Sequence, residues 1–328
     1  MLTDNHGRVV NYVRIAVTDR CNLRCYYCMP ASGLDWIQQK EMITYEEIIR
    51  ICTLLAQMGI EKIRITGGEP FMRKDLMQLL SQLVRINGIK QVSITTNGVL
   101  TAPYIQQLKE LGITSVNLSL DTLDAERFLK ITNRNYYADV INTLHALLEH
   151  DMNVKINTVV MEGKNTMDII PLCELTKDQP VAVRFIEEMP FNGDSHDFKG
   201  LKWDHLQILK TIHAHFPGVE KITDPPGSTS FNYRIPGYKG SIGIIAAYSR
   251  TFCGTCNRLR ITPPGMLQTC LYAPGVLDIK NLIRSGISNE GLKTNIIDAV
   301  HHRERNGWEA QQHTTIESLN RSMAAIGG

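Results

Sequence analysis

Apolar and polar positions in the first two-thirds of the chain alternate between short β-branched runs and longer segments of helical period. The short runs predict buried strands at residues 12–17, 63–66, 92–95, 115–119, 154–160 and 181–185. Between them, apolar residues spaced three to four apart predict helices at residues 44–59, 75–86, 102–111, 139–150 and 166–176. Because parallel strands need long crossovers, this order predicts a parallel α/β sheet, either doubly wound or bent into a barrel-like arc.

Polar residues gather where the predicted strands end. They follow Val17, Ile65 and Phe185, and they include Thr95 and Ser119 themselves. Open α/β sheets and (β/α) barrels both bind ligands at the carboxyl ends of their strands. We therefore expect the functional site at this edge of the sheet.

The strand–helix alternation stops near Met189. Residues 190–203 have the composition of a loop, residues 204–215 predict a helix, and two polar helices are predicted within residues 279–304. We therefore predict a first domain over residues 1–190 and a second region over residues 191–328. The second region is expected to cover the open side of the first.

Composition and charge narrow the class of protein. The chain has 328 residues, 43% hydrophobic and 21% charged, which is typical of a globular protein. A net charge of +2 argues against a nucleic-acid-binding surface. No apolar run is long enough to span a membrane, and residues 1–10 lack the apolar core of a signal peptide. The sequence thus predicts a cytoplasmic protein without membrane or nucleic-acid partners, and it leaves open a monomer or a homodimer.

The cysteines point to metal chemistry. A chain of this length without an export signal is not expected to form a disulfide framework. Cys52 and Cys173 stand alone within helical patterns, and we interpret them as small buried apolar residues. The other six fall into two groups of three, namely Cys21, Cys25 and Cys28, and Cys253, Cys256 and Cys270. Thiols grouped in this way are typical of metal or cluster ligands.

The first triad has the spacing Cys-x3-Cys-x2-Cys and directly follows the first predicted strand. A [4Fe–4S] cluster is usually held by four thiolates, so three would leave one iron open to another ligand. A zinc site would need a fourth protein ligand, and the only nearby histidine, His6, has no motif spacing. The spacing therefore favours a cluster with an open iron.

Two segments resemble the radical S-adenosylmethionine superfamily: the first triad with Tyr27 before its last cysteine, and Gly67-Gly68-Glu69-Pro70 after the second strand. The resemblance implies a partial (β/α)6 barrel of TIM type. It also implies that S-adenosylmethionine chelates the open iron and is cleaved by one electron to a 5′-deoxyadenosyl radical. The S-adenosylmethionine contacts that it implies are Tyr27, Gly68, Ser119 and Met189.

By itself, the spacing of the second triad fits an incomplete zinc site, an iron–sulfur cluster or a redox pair. With the first triad, the stretch Arg258-Leu259-Arg260 and the terminal Ile326-Gly327-Gly328, it resembles the GTP 3′,8-cyclase family of molybdenum cofactor biosynthesis. This resemblance covers nearly the whole chain. It implies that Cys253, Cys256 and Cys270 hold a second [4Fe–4S] cluster that binds the purine.

The same resemblance implies the reaction and its further participants. The radical removes hydrogen from C3′ of GTP, C3′ attacks C8, and reduction yields 3′,8-cyclo-7,8-dihydro-GTP. An external one-electron donor supplies electrons, and a downstream cyclic pyranopterin monophosphate synthase takes the product. Gly327 and Gly328 enter the active site as catalytic residues. The implied GTP contacts are Arg14, Arg64, Thr95, Lys155, Arg258, Leu259 and Arg260.

Chemistry agrees with a triphosphate substrate, because several negative charges need converging cations. Basic residues inside a buried strand are unusual unless they are paired. The alternative is internal salt bridges from Arg14, Arg64, Lys155 and Arg184 to carboxylates, for which the candidates are Glu69, Asp121 and Glu187. For Arg184 the two interpretations are evenly balanced. The alternating spacing of Arg258 and Arg260 predicts that both lie on one face of a strand.

Two positions depart from the family pattern: Glu188, where an apolar residue is common, and Ala325, where an aromatic residue is common. One alternative function is a radical S-adenosylmethionine enzyme whose second cluster serves the modification of a peptide or a haem precursor. An alternative of another class is a non-enzymatic zinc-binding module that contacts RNA. The GTP cyclase is our preferred hypothesis.

Overall fold

The described part of the chain forms a mixed sheet flanked by helices. A computed structural model describes residues 1–29, 34–191, 198, 200–313 and 322–327. Its strands are β1 (Tyr12–Ala16), β2 (Lys62–Thr66), β3 (Gln91–Thr96), β4 (Ser115–Ser119), β5 (Asn153–Val160), β6 (Ala182–Glu187), β7 (Glu220–Lys221), β8 (Ser230–Arg234), β9 (Ser241–Ile245), β10 (Arg258–Ile261), β11 (Met266–Gln268) and β12 (Leu277–Asp278).

The sheet has the order β12-β11-β10-β1-β2-β3-β4-β5-β6-β9-β8-β7. Strands β1 to β6 are parallel neighbours in chain order, as in a (β/α) barrel. Strand β9 pairs in parallel with β6, and β10 pairs in parallel with β1. The two ends of this order do not pair with each other within the described residues, so the sheet is a partial barrel. The region after residue 190 therefore does more than cover the open side, because its strands extend the sheet at both edges.

The described residues form eleven α-helices, most of them in the connections that follow the parallel strands. They are α1 (Tyr45–Gln57), α2 (Leu76–Leu83), α3 (Ile105–Glu110), α4 (Ala125–Thr132), α5 (Tyr137–Glu149), α6 (Ile169–Asp178), α7 (His205–His215), α8 (Ile279–Arg284), α9 (Asn289–His301), α10 (Gly307–Gln312) and α11 (Met323–Ile326). Helix α1 begins with a capping box. Thr44 Oγ1 accepts from the Glu47 N–H at 3.2 Å, and Glu47 Oε2 accepts from the Thr44 N–H at 2.8 Å.

Helix α4 is the element of the first domain that the sequence analysis missed. It has eight residues, of which Phe128, Ile131 and Thr132 are buried. Three of its residues, Glu126, Arg127 and Lys130, are charged, so it has fewer apolar positions than the equally short α2. Asp124 caps it by accepting from the Arg127 N–H at 2.8 Å.

The two faces of the parallel strands differ in character. In β1 and β2, Val13, Ile15, Ile63 and Ile65 are fully buried and belong to the main hydrophobic core. Side chains alternate across a strand, so the residues between them face the inside of the barrel. Cys52 and Cys173 are fully buried in the same core, which confirms their interpretation as apolar residues. Within the described residues, no helix is long and apolar enough to cross a membrane.

Candidate active site

The inside of the barrel encloses a cavity of about 930 Å³. Both cysteine triads line it, and so do all four predicted S-adenosylmethionine contacts. The predicted GTP contacts that line it are Arg14, Arg64, Thr95, Lys155, Arg258 and Arg260. Leu259 is fully buried in the hydrophobic core instead, so only its main chain can contact a ligand. Residues that are 249 positions apart in sequence, such as Cys21 and Cys270, thus share one cavity.

Strand register explains why the cations converge. Arg14 pairs with Arg64 of β2 and with Arg260 of β10, so that three arginines lie side by side. Two residues earlier, Tyr12 pairs with Lys62 and with Arg258. Residues in register on parallel strands point to the same face of the sheet. The result is two polar rows across this wall of the barrel, Arg260–Arg14–Arg64 and Arg258–Tyr12–Lys62.

The opposite part of the barrel is also polar. Register across β3, β4 and β5 aligns Thr95, Asn117 and Lys155, and register across β4, β5 and β6 aligns Ser119, Asn157 and Arg184. Closed (β/α)8 barrels fill this space with branched apolar side chains. Here the polar walls leave room for a polar ligand.

Two basic residues that line the cavity, Lys62 and Arg184, were not among the predicted GTP contacts. Lys62 lines the cavity and lies two residues before Arg64 on the same strand, which is a signal the sequence did contain. Arg184 also lines the cavity, and its buried Nε has no hydrogen-bond partner within the described residues. Both side chains therefore lie where a ligand in the cavity would meet them.

The proposed internal salt bridges are absent for three of the four basic residues. Within the described residues, no ion pair joins Arg64, Lys155 or Arg184 to a carboxylate. The candidate carboxylates bond elsewhere: Glu69 to the Asn97 N–H (2.7 Å), Glu187 to the Ser249 N–H (2.7 Å) and Asp121 to the Tyr27 hydroxyl (2.8 Å). The cavity thus holds an excess of positive charge.

Neutral or main-chain oxygens hold the cations in place. Arg64 donates from Nε to the Tyr12 hydroxyl (2.5 Å) and from Nη1 to Thr95 Oγ1 (3.3 Å). Arg258 donates from Nη2 to the Gly227 carbonyl at 2.9 Å. Below the Tyr12 pKa of about 7 these oxygens are uncharged, so the bonds orient the guanidinium groups without neutralising them and the positive charge remains available to an anion.

Burial and the like charges of neighbouring cations shift the pKa values of the basic residues in the cavity. Burial, and then the charge of Arg184, lowers the pKa of Lys155 to about 8. Burial and Arg64 lower the pKa of Arg184 to about 10. Burial acts to raise the pKa of Tyr12, but the cations around it, Arg64 first, bring it down to about 7. An anion bound among these groups relieves their mutual repulsion.

The first triad lies on the loop after β1, and the Gly67-Gly68-Glu69 segment packs against this loop. The Gly68 N–H donates to the Thr18 carbonyl, and the Glu69 N–H donates to the Arg20 carbonyl, both at 2.8 Å. A Cβ on Gly68 would lie 2.3 Å from the Arg20 oxygen. The close approach therefore requires glycine at this position.

Donor groups surround the sulfur atoms of the first triad. Cys21 Sγ accepts from the Leu23 N–H at 3.4 Å and from Asn97 Nδ2 at 3.5 Å. Burial raises the pKa of Cys21 to about 11 and that of Cys28 to about 12. These thiols need a bound cation to become thiolates, while the N–H donors suit thiolate sulfur. The donor set thus fits an iron–sulfur cluster.

The second triad has a similar set of donors. Cys256 Sγ accepts from Arg303 Nη2 at 2.9 Å, and Cys253 Sγ accepts from the Gly307 N–H at 3.4 Å. Although burial acts to raise it, the pKa of Cys256 is lowered by Arg303. All eight cysteines are free thiols. This donor set also fits anionic sulfur.

No group of three or more His, Cys, Asp or Glu side chains in the described ranges is close enough to hold a single metal ion. This finding concerns single ions. A four-iron cluster is larger than one ion, and its thiolate ligands stand correspondingly farther apart.

The predicted S-adenosylmethionine contacts line the same cavity as the first triad. The Tyr27 hydroxyl donates to Asp121 at 2.8 Å, which holds the ring beside the cysteine loop. Ser119 ends β4, and Met189 follows β6, where it packs beside Phe191 and its neighbours in a small apolar cluster. The carboxyl ends of the strands therefore bring these residues together, as the strand pattern predicts.

The carboxyl-terminal tail is packed into the structure as far as it is described. The Ser322 hydroxyl donates to the Cys28 carbonyl, Ile326 is buried, and the Gly327 carbonyl accepts from Arg260. A Cβ on Gly327 would lie 2.8 Å from the Cβ of Ala16. The tail thus links the first triad to the arginine row, while Gly328 lies outside the described residues.

The fold resembles radical S-adenosylmethionine enzymes. The chain superposes on the crystal structure of Streptococcus suis SuiB bound to S-adenosylmethionine with a TM-score of 0.61 at 14% identity, covering 92% of this chain and 68% of that one. Residues 15–176 match the Radical SAM superfamily model. The fold and the first triad therefore define a radical S-adenosylmethionine protein that binds a [4Fe–4S] cluster and S-adenosylmethionine.

The carboxyl-terminal part and the full-length relatives identify the family. Residues 181–308 match the model Molybdenum Cofactor Synthesis C. The chain is 38% identical to the GTP 3′,8-cyclase of Syntrophomonas wolfei, with all of both chains covered. It is also 38% identical to the mitochondrial GTP 3′,8-cyclase of Arabidopsis thaliana, covering all of this chain and 84% of that one. The chain belongs to the GTP 3′,8-cyclase family.

Some relatives are longer. Human Molybdenum cofactor biosynthesis protein 1 is 38% identical over 99% of this chain, but the chain spans only 51% of that protein. The similarity therefore covers one half of the longer protein, and the chain matches the bacterial relative end to end.

Proposed function

We propose that this chain is a radical S-adenosylmethionine enzyme that converts GTP to 3′,8-cyclo-7,8-dihydro-GTP, the first step of molybdenum cofactor biosynthesis. The observation that carries the proposal is a set of basic residues in the cavity of the two cysteine triads, here called the cationic wall. They are Arg14, Lys62, Arg64, Lys155, Arg184, Arg258 and Arg260. These arginines and lysines share one cavity with both triads. Arg64 and Arg258 bond to hydroxyl and main-chain oxygens, and within the described residues no ion pair joins Arg64, Lys155 or Arg184 to a carboxylate. A triphosphate supplies the missing negative charge.

The register of β1 and β10 supports an arrangement of the substrate. The first triad follows the carboxyl end of β1, whereas Cys256 precedes the amino end of the parallel β10 by two residues. Five residues of strand span about 16 Å, which is on the scale of one nucleotide. GTP can therefore lie along these strands, with its purine toward the second triad and its ribose toward the first.

Recognition of the triphosphate is assigned to the inner rows of the sheet. Guanidinium groups bind phosphate oxygens in a bidentate manner, and Lys155 adds a point charge from the other side of the cavity. Thr95 and the main chain of Leu259 complete the predicted set. Lys62 and Arg184 join it because they line the same cavity.

The cluster held by Cys21, Cys25 and Cys28 supplies, when bound, the electron that cleaves S-adenosylmethionine to a 5′-deoxyadenosyl radical. Gly68, Tyr27, Ser119 and Met189 would orient the S-adenosylmethionine. Because such a radical is unselective, the residues that position GTP decide which hydrogen is removed. Gly327 and Gly328 would complete this positioning beside Arg260.

A second [4Fe–4S] cluster on Cys253, Cys256 and Cys270 is part of the proposal. So are an external electron donor and a downstream cyclic pyranopterin monophosphate synthase. A cytoplasmic location and a monomeric or homodimeric state remain predictions from the sequence.

Anaerobic purification with iron and sulfide analysis tests the proposal first, and we expect about eight irons per chain. Cys256→Ala should lose about half of the iron and all cyclised product, while it still forms 5′-deoxyadenosine with dithionite. Cys173→Ala, a buried cysteine of the core, is the matched control and should keep both activities. A wild-type chain that cleaves S-adenosylmethionine but leaves GTP unchanged would contradict the proposal.

A further inference from the structure

We propose that Arg303, held by Asp4, is a positioning residue for Cys256 that sets the electronic properties of the second cluster. The inference rests on the proposed function, because it concerns the group that the second triad would hold. It also gives a role to the amino-terminal segment, residues 2–10, which contains Asp4 and Arg8.

The Arg303 guanidinium donates hydrogen bonds to two atoms of Cys256. Its Nη2 donates to Cys256 Sγ and its Nη1 to the Cys256 carbonyl, both at 2.9 Å. Only 3% of the arginine is exposed, so the charge acts in a medium of low dielectric. Among the sulfur contacts of the two triads, this one alone has a charged donor within the described residues.

The amino-terminal segment fixes this arginine. Asp4 Oδ2 lies 3.7 Å from Arg303 Nη1, and the Asp4 carboxylate is itself fully buried. Arg8 donates to Asp4 Oδ2 at 2.6 Å and to the Cys253 carbonyl at 3.0 Å. It also donates to the Glu304 carbonyl at 2.7 Å. Asp4 and Arg8 thus tie the second triad to the segment that carries Arg303.

A charged hydrogen bond to a ligating sulfur withdraws electron density from a cluster and stabilises its reduced form. Loss of the Arg303 charge should therefore make the second cluster harder to reduce. Lysine would keep the charge but lacks the fork that reaches sulfur and carbonyl together. A purely structural arginine would affect folding without changing the potential.

The test uses the full chain with Ala at Cys21, Cys25 and Cys28, so that only the second cluster contributes iron and an electron paramagnetic resonance signal. The variants are Arg303→Gln, Arg303→Lys and Asp4→Asn. Arg305→Gln is the matched control, because its side chain is exposed and two residues away. The readouts are iron per chain, resistance to an iron chelator and the midpoint potential of the cluster.

We expect Arg303→Gln to lower the midpoint potential and to lose iron at about a tenfold lower chelator concentration. Arg303→Lys should restore iron retention but not the full potential, and Arg305→Gln should match the parent chain. Parent values in Arg303→Gln would overturn the inference. If Arg303→Gln fails to fold, Arg303→Lys decides: a midpoint potential below that of the parent chain supports the inference, and the parent potential overturns it. Asp4→Asn also removes a buried negative charge, so its readout is iron retention: it should lose iron at a lower chelator concentration than the parent chain, and parent resistance would contradict the role of Asp4. A parent chain that binds no iron would instead refute the second cluster itself.

Discussion

Replacement of Lys155 by methionine should stabilise the ligand-free protein and weaken its binding of GTP. Lys155 lies on the inner face of β5, where Arg184, Lys62 and Arg64 oppose its charge. A methionine of similar length removes this repulsion and keeps most of the packing. The same change removes one cation from the triphosphate site, so that stability and affinity move in opposite directions.

The expected gain in the free energy of unfolding follows from the pKa of Lys155. Its fall from the ordinary 10.5 to about 8 corresponds to roughly 3 kcal/mol. Because the side chain is only partly buried, solvent screens much of this electrostatic free energy. We therefore expect the free energy of unfolding to rise by about 1–1.5 kcal/mol. For a chain of this size, that raises the melting temperature by about 1.5–2 °C. Loss of a charge-assisted bond to phosphate costs about 1.5–3 kcal/mol, or roughly ten- to a hundredfold in GTP affinity.

Thermal unfolding followed by intrinsic fluorescence, and anaerobic equilibrium dialysis with GTP, measure the two effects. Lys210→Met on the exposed surface of α7 is the control and should change neither. A Lys155→Met chain that melts at or below the wild-type temperature and binds GTP normally would refute the reasoning. Lys155 would then lie outside the repulsive cluster.

The pH dependence follows from the same groups. Between pH 8 and 10.5 the unfolded chain keeps the Lys155 proton that the folded chain has released, so wild-type stability rises with pH relative to the variant. GTP affinity should fall over pH 7 to 9, because Tyr12 becomes negative with a pKa of about 7 and Lys155 becomes neutral. Tyr12→Phe should remove the lower part of this decline, and a flat wild-type profile would contradict the assignment.

Three further changes separate the parts of the site. Cys25→Ala should abolish 5′-deoxyadenosine formation with dithionite, and undiminished formation would refute the radical assignment. Gly68→Ala should lose about half of the iron and the cleavage of S-adenosylmethionine, because its Cβ would lie 2.3 Å from the Arg20 oxygen; GTP binding measured by dialysis should persist. Deletion of residues 327–328 should suppress the cyclised product, measured by chromatography, while both clusters and GTP binding remain, and wild-type yield would show that the tail is dispensable.

Local chemistry was readable from the sequence. The triad spacing, the strand that precedes it and the glycines beside it lie within short segments, so the pattern alone predicts the first cluster site. Short β-branched apolar runs likewise predict strands β1 to β6, since this signal lies within neighbouring positions of the chain. Arg258 and Arg260 were predicted on one face for the same reason, and both line the cavity. The side chain of Leu259 falls on the opposite face, in the core.

The tertiary structure decided which distant segments meet. The pairing of β10 with β1 joins residues 246 positions apart and completes the row Arg260–Arg14–Arg64. Arg8 meets the Cys253 carbonyl across 245 positions of the chain, and Arg303 meets Cys256 Sγ across 47. Single short segments carry no signal for such contacts, because strand register and charge crowding exist only after the sheet forms. The residues were therefore recognisable one by one, but the cationic wall was a product of folding.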